Sequence, residues 1–144
     1  MSTIYNFCAC GPTEVDVAGR EAIAMTSVSW QADTLVIDGR PFSFAYPIRE
    51  AFALDNKIIV LLDPNAYLND PSYSKERRRG KNALRNLLAL TADGEMLWEA
   101  EFPEQVDYYY EVSCRSPLTA LTFSSFRCEI DPRTGRIVRM EFLK

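Results

Sequence analysis

The stretch from Asn86 to Phe102 narrows the possible folds of this chain more than any other. Asn86-Leu87-Leu88-Ala89-Leu90-Thr91 is apolar and strand-sized, Ala92-Asp93-Gly94 is a turn, and Glu95 to Phe102 forms the return. Successive strand side chains point to opposite faces. Met96, Trp98, Ala100 and Phe102 therefore fall on one side and Glu95, Glu99 and Glu101 on the other. A helix from Ser74 to Leu90, with Ser74 as N-cap and Ala83, Leu84, Leu87 and Leu88 at helical spacing, competes with this reading. It would carry Gly80, which costs about 1 kcal/mol relative to Ala. The strand is preferred because the turn and the Trp98 strand follow it directly.

Two copies of this hairpin flank it. Thr34–Ile37 leads through Asp38-Gly39 into Pro41–Tyr46, with Phe42, Phe44 and Tyr46 on one face. Asp-Gly between apolar runs marks a tight hairpin, because its turn needs positive φ. Phe126–Ile130, with Phe126, Cys128 and Ile130 inward, leads through Asp131–Gly135 into Arg136–Leu143. There Val138, Met140 and Phe142 are expected inward and Arg139 and Glu141 outward. Further hairpins fill the gaps. Ile48–Leu54 puts Ile48, Glu50, Phe52 and Leu54 on one face and turns at Asp55-Asn56 into Lys57–Leu62. That last run is apolar on both faces and predicts a central, fully covered strand. Tyr108–Arg115 presents Tyr108, Tyr110, Val112 and Cys114 on one face and Tyr109, Glu111, Ser113 and Arg115 on the other, before Leu118–Phe123 returns. Ala22–Trp30 is also strand-like, and a short strand is expected at Tyr5–Cys10.

The fold class is therefore all-β: an antiparallel meander of about ten to eleven strands in blade-like hairpin repeats, partial-propeller-like or a sandwich or barrel, with little helix. The repeat is marked by Gly39, Gly94 and Gly135. Removing the long loop between the first two brings their spacings near the repeat of about 40–45 residues typical of propeller blades, each of four strands.

The run Leu88-Ala89-Leu90-Thr91-Ala92-Asp93-Gly94-Glu95-Met96-Leu97-Trp98 resembles the blade motif of quinoprotein-type β-propellers. Ile130-Asp131-Pro132-Arg133-Thr134-Gly135-Arg136-Ile137-Val138 is similar to a second copy without Trp. The resemblance implies sheet geometry and carries over no cofactor-binding residue. The chain holds fewer repeats than the 4–8 blades of closed propellers. The Tyr-rich strand, followed by Cys128-Glu129-Ile130-Asp131, Thr134-Gly135 and the closing Phe142-Leu143-Lys144, also resembles small bacterial proteins of toxin-immunity neighbourhoods.

At 144 residues the chain is sized for a single domain, with residues 1–21 irregular and 63–82 a long exposed loop. Its net charge of −4 gives no general attraction to nucleic acid or anionic membrane. No apolar run reaches the roughly 18 residues of a membrane span. The opening Met1–Phe7 lacks the basic-then-apolar order of a secretory signal, which predicts a cytoplasmic protein. Its four cysteines are then expected to be reduced thiols.

Chemistry-bearing patterns are sparse. No histidine is present, which removes Ser-His-Asp and Cys-His catalysis and every His-bearing metal site. Gly80-Lys81 lacks the rest of a phosphate loop. Cys8, Cys10, Cys114 and Cys128 have poor spacing for a zinc site, and ordinary thiols are expected, with no metal and no cofactor. The basic run Lys75–Lys81 reads as solubilising loop charge. Between Glu95 and Glu111 lie six acids and no Lys or Arg. Glu99, Glu101, Glu104, Asp107, Tyr109 and Glu111 are the candidate partner surface, since aromatics anchor and complementary charge steers a basic protein. The expected function is a non-catalytic protein-binding domain, such as an immunity protein neutralising a cationic effector. The alternatives are an enzyme or small-ligand binder with a cleft lined by Tyr and carboxylates, and a structural or assembly subunit.

Overall fold

A computed structural model describes residues 26–65, 85–103 and 108–143. The expected strand at Tyr5–Cys10, Cys8 and Cys10, the basic run Lys75–Lys81, and Glu104 and Asp107 lie outside the described residues.

Among the described residues the secondary structure is eleven strands in three antiparallel meanders, and no barrel closes. Sheet A holds β1 (Val28–Gln31), β2 (Thr34–Ile37) and β3 (Arg40–Ser43). Sheet B holds β4 (Ile48–Leu54), β5 (Lys57–Leu62), β6 (Leu87–Leu90) and β7 (Met96–Glu99). Sheet C holds β8 (Tyr109–Arg115), β9 (Leu118–Thr122), β10 (Phe126–Ile130) and β11 (Ile137–Phe142). Each strand pairs with its sequence neighbour within a sheet, so short turns suffice for most connections.

The sheets stack face to face with sheet B in the middle. One core joins sheets A and B through Leu35, Ile37, Ile48, Ala51, Ile58, Val60, Leu88 and Leu90. The other joins B and C through Phe52, Ile59, Leu61, Ala89, Trp98, Tyr109, Leu118, Ala120 and Ile130. Both faces of β5 are therefore covered, as its unbroken apolar run requires.

The last hairpin of each sheet carries one of the three turn glycines, at φ +84, +88 and +80. Asp38 joins Gly39 at positive φ, giving the two-residue primed turn that matches strand twist. The other two glycines have a second role. A Cβ on Gly135 would lie 2.6 Å from the ring of Trp98, and one on Gly94 would collide with the ring of Phe42. Each glycine thus lets its turn close over an aromatic from the preceding sheet. Gly39 heads the series and meets nothing.

Sheets B and C are also joined by polar ties. Asn86 is fully buried and donates from Nδ2 to the carbonyls of Leu62 (3.1 Å) and Tyr109 (2.6 Å). Its Oδ1 accepts from the Tyr109 amide at 3.1 Å. The Trp98 indole N–H donates to Pro132 O at 2.9 Å. Arg115 reaches from β8 onto sheet B, where its guanidinium covers the Phe52 ring at 4.2 Å and pairs with Glu50 at 3.2 Å.

Several faces differ from those expected, and in each case a bulge or a strand's place in its sheet is the cause. A bulge inserts an unpaired residue and reverses the facing of the residues beyond it. One between Ile48 and Glu50 turns Ile48 toward sheet A, while Phe52 and Leu54 face sheet C. One opposite Ala89/Leu90 sets Met96 against Leu90 and away from Trp98, and Met96 is exposed. Bulges at Tyr109/Glu111 and Val112/Cys114 turn Tyr109 into the core. Val138, Met140 and Phe142, expected inward, are exposed: Val138 is the unpaired residue of a bulge opposite Glu129/Ile130, and β11 is the outermost strand of its sheet.

Candidate functional site

The four described residues of the expected acidic surface, Glu99, Glu101, Tyr109 and Glu111, do not share one face. Tyr109 is fully buried; its ring lies 5.4 Å from that of Phe102, and its hydroxyl donates to Glu101 O. Glu101 is engaged too. Its Oε1 accepts from the Ile137 amide at 2.9 Å, and its own amide donates to Gly135 O at 2.9 Å. It pins the end of sheet B to the start of β11. Glu99 pairs in register with Leu88 and so lies on the side of sheet B that faces sheet A. Glu111 pairs with Leu121 and lies on the outward side of sheet C. Glu99 and Glu111 are both exposed, on different sheets and oppositely directed faces.

The outward side of sheet C has its own logic, seen by aligning it with sheet B through the two registers. Sheet B presents Ile59, Leu61, Leu87, Ala89, Trp98 and Ala100 to its neighbour. Sheet C presents Thr119, Leu121, Arg127, Glu129, Arg139 and Glu141 at the equivalent positions. Arg127 pairs with Glu141 at 2.8 Å, and Glu129 stands opposite Arg139. Polar terminal faces are what limit a stack of repeats.

One end of sheet C is aromatic instead. Phe123, in the β9–β10 turn, is 62% exposed and stacks on Tyr108 at 5.1 Å with planes 21° apart. Phe126 and Phe142 meet at 5.3 Å at the same end of the sheet, Phe126 packing against the core shared with sheet B, and Phe142 is 58% exposed. Tyr110 and Glu111 follow Tyr108 on β8, and both are exposed. Alternation alone hides this group. Its one sequence signal is Phe123, an aromatic beside Ser124-Ser125 where a turn needs only polar residues.

A cavity of about 290 Å³ opens at the other end, between the turns of sheets B and C. Leu54, Leu118, Ile130, Pro132 and Val138 supply apolar walls, and Asp55, Arg115, Glu129 and Asp131 polar ones. No tyrosine lines it. The Asp131 carboxylate accepts from the Arg133 amide at 2.9 Å and meets the Arg133 guanidinium at 3.2 Å. The amide bond, then the guanidinium, hold its pKa below the ordinary carboxylate value. Cys114 and Cys128 are buried free thiols. Among the described residues no three Cys, Asp or Glu side chains group as metal ligands, and no helix is long and apolar enough to cross a membrane.

Residues 25–142 match the model of a family described as a domain of unknown function, DUF7957. No curated protein matches the chain. Among solved structures, a computationally designed protein, Ika8, is similar at a TM-score of 0.49 and 10% identity. The similarity covers 81% of this chain, which spans only 36% of that one.

Proposed function

The chain belongs to the DUF7957 family, and for this member we propose a non-catalytic protein-binding domain whose partner is a basic protein. The observation that carries the reading is the stack of exposed Phe123 on half-buried Tyr108, next to exposed Tyr110 and Glu111. Aromatic side chains anchor interfaces because they bury much area at little cost in rotamer freedom. The charge nearby is acidic: Glu104 and Asp107 precede Tyr108 in the sequence, and the segment from Glu95 to Glu111 holds no Lys or Arg. A cationic effector of the kind an immunity protein neutralises in the cytoplasm fits that chemistry. The relevant acid on the described surface is Glu111, while Glu101 and Tyr109 serve the fold.

The test is capture and identification of partners by the full chain, repeated with Phe123→Ala and Glu111→Lys. The expected partner is basic, weakened by salt, and bound tenfold or more less tightly by each variant, about 1.4 kcal/mol or more. Equal capture by all three chains would sink the reading.

The cavity between the turns of sheets B and C favours a second reading, a small-ligand binder. Its apolar walls and convergent charges suit a cationic amine with an apolar body. A thermal-shift screen of such amines tests it; stabilisation that survives Glu129→Gln and Asp55→Asn would rule the cavity out.

A further inference from the structure

We propose that β11 pairs with β11 of a second copy of this chain, antiparallel about a two-fold axis at Met140. The three sheets end in equivalent edge strands, and among these three only β11 is left open. β3 carries Pro41, which cannot donate to a ladder. β7 has only four residues, and its bulge at Leu97 falls in the middle of them. β11 has six residues and no proline, and its bulge, at Val138, leaves the run from Arg139 to Phe142 in regular register. Its first amide, at Ile137, is already taken by Glu101. The regular open edge therefore runs from Arg139 to Phe142, and Met140 is its first residue whose backbone faces away from β10.

The backbone of that edge points outward at the right residues. Leu143 N donates to Ser125 O at 2.7 Å, and the register runs on from there through Phe126↔Phe142 and Arg127↔Glu141. Hydrogen-bonded pairs alternate with non-hydrogen-bonded pairs in an antiparallel ladder. Leu143, Glu141 and Arg139 thus bond to β10, while the amides and carbonyls of Met140 and Phe142 face away from it. Those two residues also carry exposed apolar side chains, 48% and 58% accessible.

Pairing about Met140 matches the strand to itself. Met140 meets its own copy across the axis. At each end of the ladder the bulged Val138 of one copy and Phe142 of the other come together, apolar against apolar. Arg139 stands opposite Glu141 of the second copy, twice over by symmetry. Arg127 occupies Oε1 of Glu141, so Oε2 stays open to the incoming guanidinium. A register that satisfies backbone, apolar and charged groups together makes a closed, isologous contact that stops at two copies. It uses an edge separate from the Tyr108–Phe123 stack and stands without that reading.

Sedimentation equilibrium of the full chain over a concentration series should give a monomer–dimer equilibrium without larger species. Met140→Pro removes an outward amide that β10 does not use, so it should abolish the dimer while far-ultraviolet dichroism stays unchanged. Arg139→Glu and Glu141→Arg should each weaken association about tenfold or more by placing like charges opposite one another. Mixed in equal amounts, these two variants should restore the dimer, because each supplies the charge the other lacks; this arm holds even if Met140→Pro fails to fold. A wild-type chain that stays monomeric, a dimer indifferent to all three changes, or a mixture that does not associate would overturn the proposal. So would amide protection at Met140 and Phe142 that arises only on adding a strand-forming peptide, which would assign the edge to a foreign segment.

Discussion

Asn86 and Tyr109 hold one another by two hydrogen bonds, side-chain amide to backbone in both directions, inside the seam between sheets B and C. The same Asn86 amide group also bonds Leu62 O, so one side chain fixes the end of β5, the entry to β6 and the entry to β8. Asn86→Leu keeps the branched shape and removes the polar atoms that bond the Tyr109 amide and the Leu62 and Tyr109 carbonyls. Each buried unsatisfied group costs about 1–3 kcal/mol, so a loss of about 3 kcal/mol or more is expected. Urea denaturation with an unchanged m-value checks it; a midpoint close to wild type would show that water replaces the amide.

The three turn glycines should respond unequally to alanine. Gly39→Ala adds only left-handed backbone strain, about 1–2 kcal/mol, because its surroundings are empty. Gly94→Ala and Gly135→Ala add the same strain and drive a methyl into Phe42 and Trp98. Melting temperatures should fall least for Gly39→Ala and clearly further for the other two. Equal shifts would mean the rings move aside freely.

Trp98 combines packing with a bond. Trp98→Ala should cost about 3–5 kcal/mol, the usual range for a truncated core aromatic. Trp98→Phe keeps most of the ring and loses the bond to Pro132 O, at about 1 kcal/mol. Chemical denaturation of both variants separates the two contributions, and similar losses would place the stabilisation in the hydrogen bond.

Asp131 gives the β10–β11 turn an acid dependence. Its folded pKa lies below the unfolded value. The ionised form therefore stabilises the fold above the unfolded pKa, and that contribution is lost as pH falls through the folded pKa. Nuclear magnetic resonance titration of the Asp131 carboxyl should place its midpoint below the ordinary carboxylate range. Asp131→Asn should flatten the acid limb of the stability curve. An unchanged limb would assign acid sensitivity to other carboxylates.

Where the residues themselves specify the backbone, the fold is legible in the sequence. Asp93-Gly94 and Asp38-Gly39 announce their hairpins because few residues tolerate positive φ, and Lys57–Leu62 announces a covered strand because both its faces are apolar. Shared turn chemistry at Gly39, Gly94 and Gly135 likewise discloses the repeat. What alternation cannot supply is phase after a bulge. Tyr109 and Glu111 are two apart in sequence, yet one is in the core and the other on the surface, because Tyr110 is inserted between their pairings. Nor can it supply position: Met140 and Phe142 have a core pattern, and they are exposed because β11 is the outermost strand of its sheet. The same loss of phase separates Tyr109 from Glu111 in the expected surface, and Phe123 shows in the sequence only as an aromatic beside Ser124-Ser125.

The closing of the Gly94 and Gly135 turns over an aromatic of the preceding sheet runs in one direction along the chain. Phe42 is made before Gly94, and Trp98 before Gly135. During synthesis the Gly94 and Gly135 hairpins therefore each emerge to find the docking ring already built. Order of assembly is written into the contact itself: a circular permutant that begins at sheet C should need the whole chain before its first turn can seat.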